Sequence, residues 1–182
     1  MSSDSGILSR LLGLLRPSAR STNSRRPTPR GSDGGGVSEL SPGQAGAAAT
    51  VEIDPSQADD LRITYAPRVD GDPDAGEIVW TWVPYEEHDG RGKDRPVLVI
   101  GRRDADTVYA VKLTSKSHDG ERDFLPIGSG PWDGQGRPSW LDADQLYLVH
   151  HEGMRREAAA LDGERFARVA AELHKRYGWA LG

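Results

Sequence analysis

Cysteine is absent from this 182-residue sequence, which excludes disulfides and thiol catalysis. Long apolar runs are absent too. The stretch Ile7–Leu15 is broken by Ser9, Arg10 and Gly13, and it follows Asp4 with no Lys or Arg before it. It then runs into Arg16-Pro17, where a signal peptide would carry small residues. A cytoplasmic protein without membrane contact is expected. Metal-ligand patterns are missing: there is no His-Glu-x-x-His and no carboxylate cluster at ligand spacing. The doublet His150-His151 would point to opposite faces of a strand. No metal and no cofactor are expected.

A surplus of positive charge is lacking as well, with a formal net charge of -5 and a pI of about 5.5. The balance is uneven. Residues 1–50 hold six Arg, two Asp and one Glu, a net of +3; of the 23 basic and 28 acidic residues this leaves 17 and 25, a net of −8, for residues 51–182. An acidic domain needs a local basic patch to bind nucleic acid. Residues 1–50 are rich in Ser, Gly, Pro and Arg with little apolar periodicity, so a disordered basic tail is expected there. Ile7, Leu8, Leu11, Leu12 and Leu15 are spaced for one short amphipathic helix over 6–16, with a fraying tail as the alternative that so short a helix favours. Residues 51–75 read as an extended linker or arm.

The folded domain is expected over 76–182. Glu77–Val83 alternates, with Ile78, Trp80 and Trp82 on one face and Val79, Thr81 and Val83 on the other, and Pro84 ends the run. Pro96–Ile100 and Thr107–Leu113 are strand-like and separated by a short polar turn, which predicts a hairpin. Phe124–Ile127 and Gln145–Val149 are further short strands. A helix is expected over 162–177, with Asp162 as N-cap, Phe166, Val169, Ala170, Leu173 and Tyr177 on one face, and Gly178 as the stop. Many short strands and one closing helix predict a mainly β fold, a small barrel with a helix packed on it.

Two strand mouths carry the polar chemistry. Arg95 stands before Pro96 at the start of one strand, where a guanidinium can clamp a phosphate with two hydrogen bonds. The alternative is a surface arginine paired with Asp94 or Glu86. Thr114 ends the next strand, followed by Ser115, Lys116, Ser117 and His118. Its hydroxyl can donate to a phosphate oxygen or simply serve a turn. His88 and His118 are candidate proton carriers, and each is equally readable as a solvated loop histidine. The loop 85–94 mixes both charges around two glycines and reads as a mobile lid or as an ordinary hairpin loop. Trp132, in a loop dense in Gly and Pro, is a candidate for stacking on a base.

Glu77-Ile78-Val79-Trp80, Arg95-Pro96-Val97-Leu98-Val99-Ile100 and Val111-Lys112-Leu113-Thr114-Ser115 resemble, in order, the opening of the MazF/PemK toxin family. Gly134–Ser139 with Leu141–Leu146, then Leu161–Leu173, resemble its last strands and C-terminal helix. The resemblance implies an SH3-like barrel that forms a homodimer. It implies a metal-independent endoribonuclease that cuts single-stranded RNA by attack of the ribose 2′-OH on its own phosphate. A cognate antitoxin would be the protein partner, in a complex that binds DNA. Arg95 and Thr114 would be the catalytic pair. The loop Glu86–Asp94 would gate the groove, with Glu87 or His88, and His118 beyond, as candidates for acid or base. Arg91, Lys93, Ser115, Lys116 and Trp132 are the expected RNA contacts. Two other functions fit the same barrel: a non-catalytic binding module, and a toxin directed at gyrase.

Overall fold

The computed structural model describes residues 40–68 and 72–182. The expected helix over 6–16 and the tail through residue 39 lie outside them. The described strands are β1 (Val51–Ile53), β2 (Arg62–Ile63), β3 (Glu77–Pro84), β4 (Gly92–Arg102), β5 (Thr107–Thr114), β6 (Phe124–Gly128), β7 (Ser139–Asp142), β8 (Leu146–His150), β9 (Met154–Ala160) and β10 (Ala180–Leu181). One α-helix, α1 (Gly163–Tyr177), follows β9. The fold is mainly β with one C-terminal helix, as the alternating runs and the final helical period predict.

The sheet runs β1-β8-β5-β4-β3-β9, and β7 joins β5 to β6. The antiparallel β4–β5 pair is the expected hairpin, with a tight turn over 103–106. Alternation gives each central strand two apolar faces. Val79, Val97, Val99, Val108, Ala110, Tyr147 and Val149 form one buried cluster. Ile78, Leu98, Ile100, Val111 and Leu113 face the other way, against Phe166, Val169 and Leu173 of α1 and against Leu61 and Ile63. Each fully buried aliphatic side chain contributes about 1.5–3 kcal/mol.

Residues 40–50, expected in the tail, and stretches of the described residues between 51 and 68, expected as a linker, pack on the sheet. Pro42 accepts a backbone hydrogen bond from Trp82, and β1 pairs with β8 while lying against β3, which curls the sheet. Thr50 Oγ1 lies 2.5 Å from Thr81 Oγ1, which in turn donates to the Gly153 carbonyl at 2.6 Å. Gly43 has φ +82° and no room for a side chain, since a Cβ would sit 2.3 Å from Thr81 Oγ1. Further on, Ala58, Leu61 and Ile63 are buried, and the Arg62 carbonyl passes so close to Gly101 that a Cβ there would lie 2.6 Å from it. These pieces are two or three residues long and carry no readable period, so burial rather than pattern holds them.

Asp162 caps α1 by accepting from the Arg165 N–H at 3.0 Å, and Gly178 ends it in the left-handed region at φ 75°. Two outcomes follow from this packing. Thr81→Val leaves the Thr50 hydroxyl and the Gly153 carbonyl without their shared partner and should lower stability by about 1–3 kcal/mol in urea unfolding. The Asp162 carboxyl is held below its ordinary value, chiefly by the Arg165 backbone N–H and then by the Arg165 and Arg168 charges. A lowered value means that its contribution is present above the usual carboxylate range and is lost as pH falls through the lowered one. The stability gap between the wild type and Asp162→Ala should therefore close in acid; a gap that stays constant would contradict the cap.

Candidate active site

The apolar face of the sheet turns polar at one end. On β4, Arg95 follows the same side as Val97 and Val99, and it stands opposite Thr81 of β3. On β5, Val97 stands opposite Lys112, where the pairing ends; Arg95 and Thr114 lie two residues beyond on their strands and line one cavity together. Thr81, Arg95, Lys112 and Thr114 thus form the rim of a sheet face whose interior is valine. Pro96 lacks the N–H that a strand pair would otherwise use, and it fixes the backbone beside Arg95.

Arg95 lines two cavities. The first, of about 380 Å³, is walled by Tyr85, Glu86, Glu87 and Arg91 of the β3–β4 loop, with Lys112. The second, of about 270 Å³, holds Trp80, Lys93, Thr114, Ser115 and Lys116, with Trp132 and Arg137 at its wall. Among the described residues eight arginines have a carboxylate partner, among them Arg91 with Asp89, Arg137 with Asp133, Arg155 with Asp94, Arg156 with Glu77 and Arg176 with Asp123. Arg95 is half-buried and, among the described residues, has neither an ion pair nor a hydrogen bond from its side chain. Neither sequence alternative for it, Asp94 or Glu86, is taken up. Lys112 is different: its ammonium lies 3.1 Å from Asp142 Oδ2 and also donates to Gln145. Beneath the rim, the buried Tyr147 hydroxyl donates to Gln145 at 3.0 Å. Burial pushes this phenol well above its ordinary value, and the charges of Glu52, Asp142 and Glu86 push it further against the opposing pull of Arg95. Those four charges therefore share one neighbourhood with Tyr147.

The Thr114 hydroxyl accepts from the Lys116 N–H at 3.2 Å, which is the turn role. That bond leaves its own O–H free to donate into the second cavity. Lys93, Ser115 and Lys116 line the same cavity, and no ion pair involves either lysine among the described residues. Arg91 lines the first cavity, bound to Asp89 at 2.7 Å and lying over the Tyr85 ring. Glu87 lines it as well.

Three expected residues are placed differently. Trp132 is only 2% exposed, and its indole N–H donates to Ser139 Oγ at 3.0 Å, so it is a wall and not an open stacking surface. Gly130 makes room for its ring, a close approach that the Gly/Pro-rich loop does not announce. His88 adopts a left-handed backbone at φ 49° and turns its Nε2 to Glu52 Oε2, 3.4 Å away. His118 is stacked on Phe124 at 3.6 Å, with Nδ1 3.1 Å from Glu121 but not aligned for a hydrogen bond. Neither histidine is among the residues lining the two cavities. Sequence reasoning missed Lys112, Glu86 and Tyr147 as site residues. Lys112 was readable, since it shares a strand face with Thr114 two residues away. Trp80 is half-buried at the wall of the second cavity.

No group of three or more His, Asp or Glu among the described residues is arranged to hold a metal ion, and no helix among them is long and apolar enough to cross a membrane. Among curated proteins none matches the chain. Among solved structures, it is similar to the MazE-MazF complex (Form-II) from Deinococcus radiodurans, with 20% identity over 58% of this chain and 96% of that one and a TM-score of 0.45. MazF (Form-I) from the same organism gives 23% identity, 58% and 96% coverage and a TM-score of 0.44. Mycobacterium tuberculosis toxin MazF-mt6 gives 15% identity, 57% and 97% coverage and 0.41. The family model described as "PemK-like, MazF-like toxin of type II toxin-antitoxin system" matches residues 74–176, more than half of the sequence and all of the rim described above. The chain belongs to this PemK-like, MazF-like family of type II toxin–antitoxin toxins.

Proposed function

We propose that this protein is a metal-independent endoribonuclease that cuts single-stranded RNA at the Arg95–Thr114 rim. The observation that carries the reading is Arg95 itself, a half-buried guanidinium without a partner at the junction of two cavities. A cation so placed is poised for an anion, and a phosphodiester spanning the two cavities brings its phosphate to it.

RNA supplies the nucleophile. The 2′-oxygen attacks the adjacent phosphorus, the bond from phosphorus to O5′ breaks, and the products end in a 2′,3′-cyclic phosphate and a 5′-hydroxyl. Glu87, on the loop wall of the first cavity with Glu86 beside it, takes the 2′-OH proton; water protonates the departing O5′. Arg95 holds the nonbridging oxygens with a fork of donors and stabilises the charge that gathers on them. Thr114 donates its free hydroxyl proton to the same group. Lys93 and Lys116 supply the basic patch that the acidic domain as a whole lacks. We read the toxin as a cytoplasmic homodimer restrained by a cognate antitoxin, as its family membership implies.

Purified, antitoxin-free protein should cleave single-stranded RNA in EDTA. Arg95→Ala should lower the rate by a factor of about 10²–10³, and Arg95→Lys should fall well short of the wild type because it lacks the planar fork. Stability should change little in either variant, by about 1 kcal/mol at most, since no ion pair or side-chain hydrogen bond is lost. Thr114→Val should lower the rate, with Thr114→Ser restoring most of it. Intact RNA after incubation with the folded wild-type protein would count against the reading.

A further inference from the structure

Trp80 and Asp94 line the second cavity, and each has a buried polar atom with no hydrogen-bond partner, Nε1 and Oδ1. Buried indole N–H groups and carboxylate oxygens nearly always find partners, so a pair of opposite sense in one cavity calls for an explanation. Their placement is fixed by register. Trp80 stands opposite Pro96 on one side and Arg155 on the other, and Asp94, opposite Trp82, is its diagonal neighbour on the same face. Arg155 covers both. Its guanidinium lies over the Trp80 ring, 5.9 Å from the centroid, and pairs with Asp94 Oδ2 at 2.6 Å. The arginine side chain is 47% exposed, so little holds it in place.

A flat cation over a tryptophan occupies the space that a stacked base would fill. With Arg155 swung aside, Asp94 offers two acceptor oxygens and no donor. Guanine is the RNA base with two neighbouring N–H donors on one edge, N1–H and N2–H, and it is the match for such a carboxylate. We propose that Trp80 and Asp94 form a guanine-reading subsite in the cavity that Arg95 also lines, with the base stacked on Trp80 in place of the Arg155 guanidinium and both donors on Asp94. The indole N–H is then left to donate to an oxygen of the same nucleotide. This rests on the reading of the Arg95 rim as an RNA-cleaving site, and it assigns the base next to the cut phosphate.

The test uses the full chain and 2′-O-methylated oligouridylates, which cannot be cut, each carrying one guanine, one inosine or one adenine. Inosine differs from guanine by loss of the N2 donor alone. Fluorescence anisotropy should show the guanine oligomer bound at least about tenfold more tightly than the inosine one by the wild type, the effect of one hydrogen bond to a charged group. Asp94→Asn, which keeps the shape of the side chain, should abolish that ratio. Mapped cuts in mixed RNA should fall next to guanine. Equal binding of the three oligomers, or a guanine-to-inosine ratio unchanged in Asp94→Asn, would overturn the subsite. If RNA is still cut in that case, the catalytic reading survives alone. If no oligomer binds and no RNA is cut, both fail together.

Discussion

The antiparallel register of β4 between β3 and β5 is the constraint on which the rest of this structure depends. It sets Val97 against Val79 and places Lys112 across from Val97, so that a single strand face changes from buried valine to charged rim within two residues. A slip of one residue would send Arg95 to the opposite face and Val97 with it, exposing apolar surface on one side and burying a charge on the other. The site is therefore protected by the core: the burial that fixes the valines also fixes where the guanidinium stands. The curled edge of the sheet, sealed by the Thr50–Thr81–Gly153 hydrogen-bond chain, holds β3 in that register from the other side.

Charge distribution matters as much as shape. The sequence carries a net charge of -5, and most of the arginines among the described residues are matched to carboxylates. Such pairs are weak individually, but they leave few positive groups for a phosphate. Arg95, Lys93 and Lys116 lack such partners and lie together. Three cations without carboxylate partners on the wall of one cavity give this acidic protein a local positive patch.

Much of this was readable from the residues, for physical reasons. The alternation of Glu77–Val83, the β-branched run after Pro96 and the helical spacing from Phe166 to Tyr177 are each strong periodic signals, and each became the element expected. That Arg95 and Thr114 line one cavity was readable from the hairpin, which brings the ends of β4 and β5 together. Trp132 was not, because nothing in a Gly/Pro-rich loop says whether its aromatic ring turns in or out; Ser139 and the space over Gly130 decide that. His88 and His118 were candidates by residue type alone, and their partners, Glu52 and Phe124, lie on other elements. The arm from residue 42 to 63 is built of strands too short for any period to show.

The central claim is that Arg95 is kept without a partner in order to receive a phosphodiester. The most direct measurement is the Nε–Hε resonance of Arg95 in the full chain, followed by NMR as an uncleavable 2′-O-methylated oligoribonucleotide is added. The account predicts a saturable shift of this resonance and slower exchange of its proton with water, with smaller changes at Arg137 and Arg176, which already hold carboxylates. RNA binding that leaves the Arg95 resonance unmoved would contradict it.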